Sequence, residues 1–287
     1  MLRRLRPHKA VRPSGRSFAW LLGIVGWVGL APPGVPRAAR AQTESALPPL
    51  PSGTGFVRLS VPGFQSAVVA WPDRAAGRDA DTLPLLVAAH GSYDQPEWNC
   101  EVFKQVAAGR GAVLCPRGKL RWDTPTEPSM LRFYFPSTGG WLGREIDAGL
   151  AALRQAEPSR VADGPVVYIG FSQGAIFGAP LVIAKPALFP RVILVEGGHD
   201  AWTSDSARRF ARGGGLRVLF ACGRASCEQS AQRAARVLQG AGVAVRVVAA
   251  PNQGHTYDGG VQAAIAAAFA WVVEGDSRFS PSTNAAR

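Results

Sequence analysis

The segment 166–179, VVYIGFSQGAIFGA, constrains the fold of this chain more than any other stretch. Its first four residues are apolar or aromatic without polar alternation, which is typical of a strand buried on both faces of a parallel sheet. A G-x-S-x-G pattern centred on Ser172 follows, and then a helix-length run of small and apolar residues. The segment therefore predicts a buried strand, a sharp turn and a buried helix in direct succession.

The two glycines of this pattern, Gly170 and Gly174, give the turn its physical meaning. They leave room for the strand and the helix to pass close together, and they place the serine in a strained backbone conformation with its Oγ clear of the sheet. This arrangement indicates a nucleophile elbow. The alternative is a glycine-rich turn whose serine only caps the following helix.

A histidine at the other end of the chain is the candidate partner of Ser172. Histidine is scarce, and beyond the first 41 residues only His90, His199 and His255 occur. His255 lies in a loop between a β-branched run, 243–249, and an apolar helical segment, 261–273. A glycine–histidine pair after the last strand is where a general base is expected for an elbow serine. On its own, a loop histidine would be interpreted as a surface residue.

The first 41 residues have the pattern of a targeting segment. Basic residues come first, an apolar stretch follows at 18–30, and an A-x-A cleavage site ends at Ala41. Prolines end the apolar stretch before the roughly 20 residues that a membrane span needs. We therefore expect a secreted or periplasmic protein, cleaved near Ala41, without stable membrane insertion.

Charge and cysteine usage agree with export. The chain has a formal net charge of +12, but the leader contributes eight basic residues and no acid, which leaves about +4 for the remainder. No basic block or aromatic-basic pattern suggests a nucleic-acid partner. The four cysteines fit an oxidising compartment, and proximity favours Cys100 with Cys115 and Cys222 with Cys227 among three possible pairings. Four buried free thiols are the alternative, and the spacing does not favour a metal site.

The remaining patterns predict one α/β domain over 56–275, between a flexible lead-in at 42–55 and a mobile tail at 276–287. Alternating strand and helix patterns indicate a mostly parallel, twisted sheet with helices on both faces, opened by two antiparallel strands at 56–61 and 67–71. The connection 117–140 is rich in aromatic residues. They either line a substrate cleft or attach a long loop to the body.

With these motifs the chain resembles the α/β-hydrolase fold. Within that fold it resembles the secreted single-domain esterases grouped with polyhydroxyalkanoate depolymerases, feruloyl esterases and dienelactone hydrolases. The resemblance covers most of 56–273 and rests on His90-Gly91, the elbow, and Gly254-His255. It implies an exported serine hydrolase that acts on small-molecule or polymer esters without a cofactor or metal. By this likeness Ser172 is the nucleophile and His255 the base, and the oxyanion is held by the N–H of Gln173 and one from Gly91 or Ser92.

The sequence departs from the family at the third member of the triad. The family usually has an Asp about three residues after the glycine that closes the seventh strand, and here Ser226 stands there. Asp200 and Glu228 are the alternatives for the acid, with Asp258 a weaker candidate. Because the usual Asp is missing, a binding protein that has kept the fold and lost activity stays open as an alternative. A serine peptidase is a second alternative, because such enzymes share the fold.

Overall fold

The computed structural model describes residues 47–53, 55–73 and 82–280. The predicted leader, 1–41, lies outside these residues, as do part of the lead-in and the last seven residues. The bounds of the strands are β1 Phe56–Leu59, β2 Ala67–Ala70, β3 Leu85–Ala89, β4 Ala112–Cys115, β5 Lys119–Leu120, β6 Phe133–Tyr134, β7 Val167–Phe171, β8 Arg191–Val195, β9 Arg217–Cys222 and β10 Ala244–Ala249.

Six α-helices alternate with these strands in the described part of the chain. They are α1 Pro96–Ala107, α2 Trp141–Ala156, α3 Gln173–Ala184, α4 Ser204–Arg212, α5 Ala225–Gly240 and α6 Gly259–Val273. The helix predicted directly after the G-x-S-x-G pattern is α3, and the helical segment predicted at 261–273 lies within α6. Helix α4 is short and polar, and it begins with a capping box in which the side chains of Thr203 and Ser206 each pair with the other's backbone N–H.

Eight strands form one sheet in the order β1-β2-β4-β3-β7-β8-β9-β10. Strand β2 is antiparallel to both β1 and β4, and every other neighbouring pair is parallel. The predicted fold class is therefore confirmed. The nucleophile strand β7 lies between β3 and β8, so the residues that follow these three strands meet at one edge of the sheet.

The sheet separates two hydrophobic clusters, and neighbouring strand residues point into different ones. On β7, Tyr168 packs with α2, α3, α4 and α5, whereas Ile169 packs with α1 and α6. Burial on both faces explains why these strands are continuous apolar runs in the sequence. Helix α3 is buried along the face that carries Ala175, Ala179 and Val182, whereas Ile176 on its other face is 53% exposed.

Two disulfides confirm the pairing that sequence proximity favours. Cys100 on α1 is bonded to Cys115 at the end of β4, and Cys222 at the end of β9 is bonded to Cys227 in the first turn of α5. The first bond joins a helix to the sheet inside a hydrophobic cluster. The second closes a tight turn at the edge where β7 and β8 also end.

The first residues of the segment predicted as a mobile tail, from residue 276 onward, make defined contacts with the domain. Asp276 pairs with Arg278 and with Arg191, and Phe279 is buried against Phe269. The predicted tail has too few apolar residues to suggest packing, but a single aromatic side chain is enough to fix this short segment. Among the described residues, no helix is long and apolar enough to cross a membrane.

Candidate active site

Ser172 occupies the turn between β7 and α3 in the conformation that the glycine pattern predicts. Its backbone angles are φ 48° and ψ −110°, a region that L-residues rarely adopt. A Cβ on Gly170 would lie 2.6 Å from the carbonyl oxygen of Gly174, and one on Gly174 would lie 2.2 Å from that of Ala89. No larger residue fits at either position without moving backbone. The alternative of a helix-capping serine is not supported, because Ser172 makes no side-chain cap to α3.

His255 reaches Ser172 across 83 positions of sequence. Its Nε2 lies 2.8 Å from Ser172 Oγ, which is hydrogen-bond distance for a nucleophile and its base. The imidazole also packs against the ring of Phe171, with centroids 5.1 Å apart. The structure therefore brings together the two residues that sequence analysis paired.

Glu196 is the carboxylate that contacts the other side of this histidine. It directly follows β8, and its Oε2 lies 3.0 Å from His255 Nδ1. The Glu196 side chain is fully buried. Burial works to raise the pKa of Glu196, but hydrogen bonds from His255, Gly223 and Arg224 together outweigh it and hold the pKa below its ordinary value. Glu196 is therefore present as a carboxylate at neutral pH.

The comparisons with known proteins agree with this architecture. No protein-family model matches the chain, and no curated protein sequence matches it. Among solved structures, a siderophore hydrolase from Aspergillus nidulans superimposes with a TM-score of 0.53 at 13% identity, over 84% of this chain and 100% of the other. A thermophilic carboxylesterase from a metagenomic library gives 0.52 at 15% identity, over 85% and 95%.

A dienelactone hydrolase from Anabaena variabilis gives a TM-score of 0.50 at 14% identity, over 76% of this chain and 95% of the other. The chain has the α/β-hydrolase fold. At these identities the likeness establishes the architecture, and any activity has to be argued from the site itself.

Neither acid favoured by the sequence contacts His255 in this α/β-hydrolase fold. Asp200 is exposed on the short 3₁₀ turn His199–Ala201, and Glu228 accepts a hydrogen bond from Gln232 on its own helix α5. Asp258 pairs with the hydroxyl of Thr256. The correction has a simple physical reason. A residue that directly follows a parallel strand lies at the edge of the sheet where that strand ends. Asp200 and Glu228 instead lie on the next elements, the 3₁₀ turn and helix α5.

One signal for Glu196 is visible in the sequence. It is the first residue after the apolar run 192–195 and precedes two glycines, just as Ser172 follows the apolar strand β7. Gly197 allows a close approach to the nucleophile turn, since a Cβ there would lie 2.9 Å from the carbonyl oxygen of Ser172. Strand-end position therefore identifies the acid better than its distance from a family motif.

The loop after β3 borders the serine on the other flank. Gly91 packs against it so closely that an added Cβ would lie 3.3 Å from Ser172 Cβ and 2.9 Å from the Phe171 ring. The N–H of Gly91 donates to Asp94 Oδ2 at 3.3 Å. Gln173 is the first residue of α3, where a backbone N–H has no acceptor within the helix. Of the two alternatives from the sequence, Gly91 therefore already has an acceptor for its N–H within its own loop.

Asp94 and Tyr257 connect this loop to the histidine loop. Tyr257 Oη donates to Asp94 Oδ1 at 3.2 Å, and the Tyr257 ring packs edge-on against Phe171 with centroids 4.7 Å apart. Burial raises the pKa of Asp94, and the nearby His90 and three neutral donors do not offset it. Burial likewise raises the pKa of Tyr257. The pair joins the segments around Ser172 on the side opposite Glu196.

Two aromatic residues of the connection after β4 attach it to the body, which is one of the two alternatives that the sequence left open. Phe133 and Phe135 are completely buried and attach the segment to the body, whereas Trp122 is 92% exposed. Part of the connection forms the small hairpin of β5 and β6, which the sequence did not reveal. Arg121 on this segment donates to the hydroxyl of Ser92 at 3.0 Å. The connection therefore reaches the edge of the candidate site.

The one metal-compatible grouping among the described residues does not suit a metal ion. It consists of Glu196, Cys222 and Cys227, but the two cysteines are bonded to each other and cannot provide thiolates. Glu196 is already occupied by hydrogen-bond donors. The chemistry available at this edge is that of a serine, an imidazole and a buried carboxylate.

Proposed function

We propose that this protein is a serine hydrolase that cleaves carboxylic esters, with Ser172 as nucleophile, His255 as general base and Glu196 as the acid that orients the base. The observation that carries the proposal is the continuous hydrogen-bonded chain from Ser172 Oγ through the imidazole to Glu196. This order of roles is the one that activates an otherwise weak hydroxyl nucleophile. Ser172 also has a strained backbone conformation with a positive φ, and such strain is concentrated at functional sites.

The reaction would proceed in two acyl-transfer steps. As Ser172 Oγ bonds to the ester carbonyl carbon, its proton passes to His255 Nε2, and the oxyanion accepts the N–H groups of Gln173 and Ser92. The bond to the alcohol oxygen then breaks, and the alcohol leaves with the proton from His255. Water repeats the sequence on the acyl-enzyme and releases the acid. One oxyanion donor is worth roughly 3 kcal/mol, and general base catalysis contributes about two to four orders of magnitude.

The carboxylate of Glu196 would keep Nδ1 protonated, so that Nε2 faces the serine as an acceptor. It would also stabilise the imidazolium that forms during each step. Because Glu196 is held as an anion by Arg224 and by backbone N–H groups, it need not gain or lose a proton itself. Glu196 also removes the reason for favouring an inactive binding protein, which was the apparent lack of an acid.

A groove beside α3 supports an ester with an apolar substituent. It encloses about 610 Å³, and its lining includes Trp141, Phe177 and Leu181. Its near end adjoins the site, since Pro136 lines it and the preceding residue, Phe135, donates its N–H to the side chain of Gln173 at 2.7 Å. We place the apolar part of a small or polymeric ester here. A series of p-nitrophenyl esters of increasing acyl length would show a rising kcat/KM up to the length that the groove accepts.

Export is part of the proposal, and the disulfides support it, because such bonds persist in oxidising compartments. Expression of the full chain in a bacterial host with N-terminal sequencing of the exported fraction tests it. Cleavage before Gln42 is the expected result. Retention of the intact N-terminus inside the cell would contradict it.

A fluorophosphonate probe gives the most direct test of the chemistry. The purified protein should be labelled once per chain, Ser172→Ala should not be labelled, and Ser137→Ala, which changes an exposed serine near the site, should be labelled like wild type. A folded wild type that resists the probe and hydrolyses no ester would overturn the enzyme proposal in favour of a binding protein. Activity on peptide bonds but not on esters would instead indicate a peptidase.

A further inference from the structure

The turn between β9 and α5 contacts both partners of the candidate nucleophile. It is closed by the Cys222–Cys227 disulfide and contains Gly223 and Arg224. We infer that this cross-linked turn, with Arg224 as its principal side chain, is a positioning element that holds Glu196 and thereby His255. The inference rests on the proposed function and assigns to this disulfide a part in catalysis that the other disulfide does not have.

The turn supplies three of the four hydrogen bonds that Glu196 receives. Glu196 Oε1 accepts the backbone N–H groups of Gly223 at 2.7 Å and Arg224 at 3.0 Å. Oε2 accepts Arg224 Nε at 2.6 Å and faces His255 Nδ1. A carboxylate has about four acceptor positions, so this set leaves little freedom to rotate. The direction in which Glu196 presents Oε2 to the imidazole is therefore fixed by the turn.

The same turn also touches the histidine loop. A Cβ on Gly223 would lie 2.4 Å from the carbonyl oxygen of Gly254, the residue directly before His255. The carbonyl of Cys222 accepts the N–H of Ala250 at 2.8 Å, at the start of that loop. A displacement of the turn would thus move the acid and the base relative to each other. Small displacements matter here, because reacting groups must be held to within a fraction of an ångström.

The disulfide is what closes this turn next to the acid. An oxygen of Glu196 and the sulfur atoms of Cys222 and Cys227 all lie within 4.8 Å of one another. Both cysteines are buried. By contrast, Cys100 and Cys115 join α1 to β4, two strands away from β7 on the side opposite β8. The chain therefore contains its own matched control, a second disulfide that is not attached to the acid.

The test compares two double variants, Cys222→Ala/Cys227→Ala and Cys100→Ala/Cys115→Ala, each assayed on a soluble ester below its own unfolding temperature. For the first we expect kcat to fall about 10-fold to 100-fold with KM within about twofold, which is less than the roughly 10⁴-fold loss expected when a triad acid is lost altogether. For the second we expect kcat within about twofold of wild type. Equal kcat in both variants would overturn the inference.

Arg224 provides a second test that does not depend on the folding of either double variant. Arg224→Ala should lower kcat about tenfold at unchanged KM, and Arg224→Lys should restore part of it, because a lysine keeps the charge but not the planar donor geometry. Full activity in Arg224→Ala would contradict the assignment. If wild type itself shows no turnover and no labelling by the fluorophosphonate probe, the proposed function has failed, and the positioning role fails with it for a distinguishable reason.

Discussion

Two buried carboxyl groups, Asp94 and Glu196, border Ser172 from opposite flanks, and their pKa values are shifted in opposite directions. Asp94 belongs to the loop after β3 and Glu196 to the end of β8, the two strands beside β7. Asp94 accepts hydrogen bonds from neutral groups, namely the N–H groups of Gly91 and Gln95 and the hydroxyl of Tyr257. Glu196 accepts from two N–H groups, a guanidinium and an imidazole.

The outcome is that burial raises the pKa of Asp94, while the pKa of Glu196 lies below its ordinary value despite burial. The comparison teaches that burial alone does not decide the direction of a carboxyl group's pKa shift. At Glu196 the hydrogen bonds from His255, from the N–H groups of Gly223 and Arg224 and from the Arg224 guanidinium outweigh burial, whereas His90 and the neutral donors at Asp94 do not. The flank with Glu196 is therefore equipped to stabilise a positive imidazole, and the flank with Asp94 to hold a loop in place.

Glu196→Gln tests the role of the carboxylate next to His255, and we expect it to have the largest effect on kcat. The amide of glutamine keeps the shape of the side chain, but it has no charge and only one acceptor oxygen instead of two. We therefore expect kcat to fall by about 10³ to 10⁴. Asp200→Asn and Glu228→Gln are the matched controls and should each keep kcat within about twofold. Steady-state assays of the three purified variants decide the matter. A Glu196→Gln enzyme with wild-type activity would remove Glu196 from the triad.

Gly91→Ala tests the loop on the other flank. A methyl group there would meet the Phe171 ring at 2.9 Å and approach Ser172 Cβ at 3.3 Å, so the loop or the serine has to move. We expect kcat to fall about tenfold or more, with a loss of stability of about 1 to 3 kcal/mol. Gly240→Ala, at an open position on the far side of the fold, is the control. Equal kcat in the two variants would show that the loop tolerates displacement.

Tyr257→Phe removes one hydroxyl from the Asp94 flank and leaves the ring packing in place. We expect a loss of about 1 kcal/mol in the free energy of unfolding, because one neutral hydrogen bond to Asp94 is lost. We also expect a fall in kcat of about fivefold or less, since Asp94 still holds Gly91. Urea titration and steady-state kinetics on the same samples measure both effects. A loss of activity as large as that of Glu196→Gln would reverse the comparison.

The pH dependence of stability should have opposite signs for the two carboxylates. The folded pKa of Glu196 is lowered, so its contribution is present above its unfolded pKa and is lost as the pH falls through the folded value. The folded pKa of Asp94 is raised, so wild type loses stability relative to Asp94→Asn as the pH rises through that value.

Urea titrations between pH 3 and pH 7 measure these differences directly. From the lower to the higher pH, the advantage of wild type over Glu196→Gln should grow, and its advantage over Asp94→Asn should shrink. If the stability difference from wild type had the same pH dependence in the two variants, the pKa values of Asp94 and Glu196 would not be shifted in opposite directions. We expect this to be the smallest of the effects, because each curve reports a single group.

The sequence was sufficient for those parts of the site that local rules determine. The place of Ser172 was predictable because Gly170 and Gly174 allow the strand and the helix to approach closely, and the strand before it is continuously apolar. His255 was predictable because few other histidines compete with it. The sheet followed from continuous apolar strands alternating with helices, since burial on both faces leaves no polar alternation.

The carboxylate that contacts His255 was not predicted, because that contact joins distant segments of the chain. The pairing of β8 with β9 brings Arg224 and the turn after β9 to the buried Glu196, and the histidine loop adds the imidazole of His255. Nothing local to residues 191–198 predicts that pairing partner. The hairpin of β5 and β6 was missed for a similar reason, since two residues per strand are too few to show a periodicity.

The openness of the site has a consequence for the fate of an acylated Ser172. Ser172 is only partly covered and His255 is exposed, so any small nucleophile in the medium has the same access to the intermediate as water. If the proposed chemistry holds, an added alcohol such as methanol will intercept the acyl group and give transesterified product in proportion to its concentration. In media that are poor in water, the protein would then act as an acyltransferase, because alcohols would replace water as the acceptor of the acyl group.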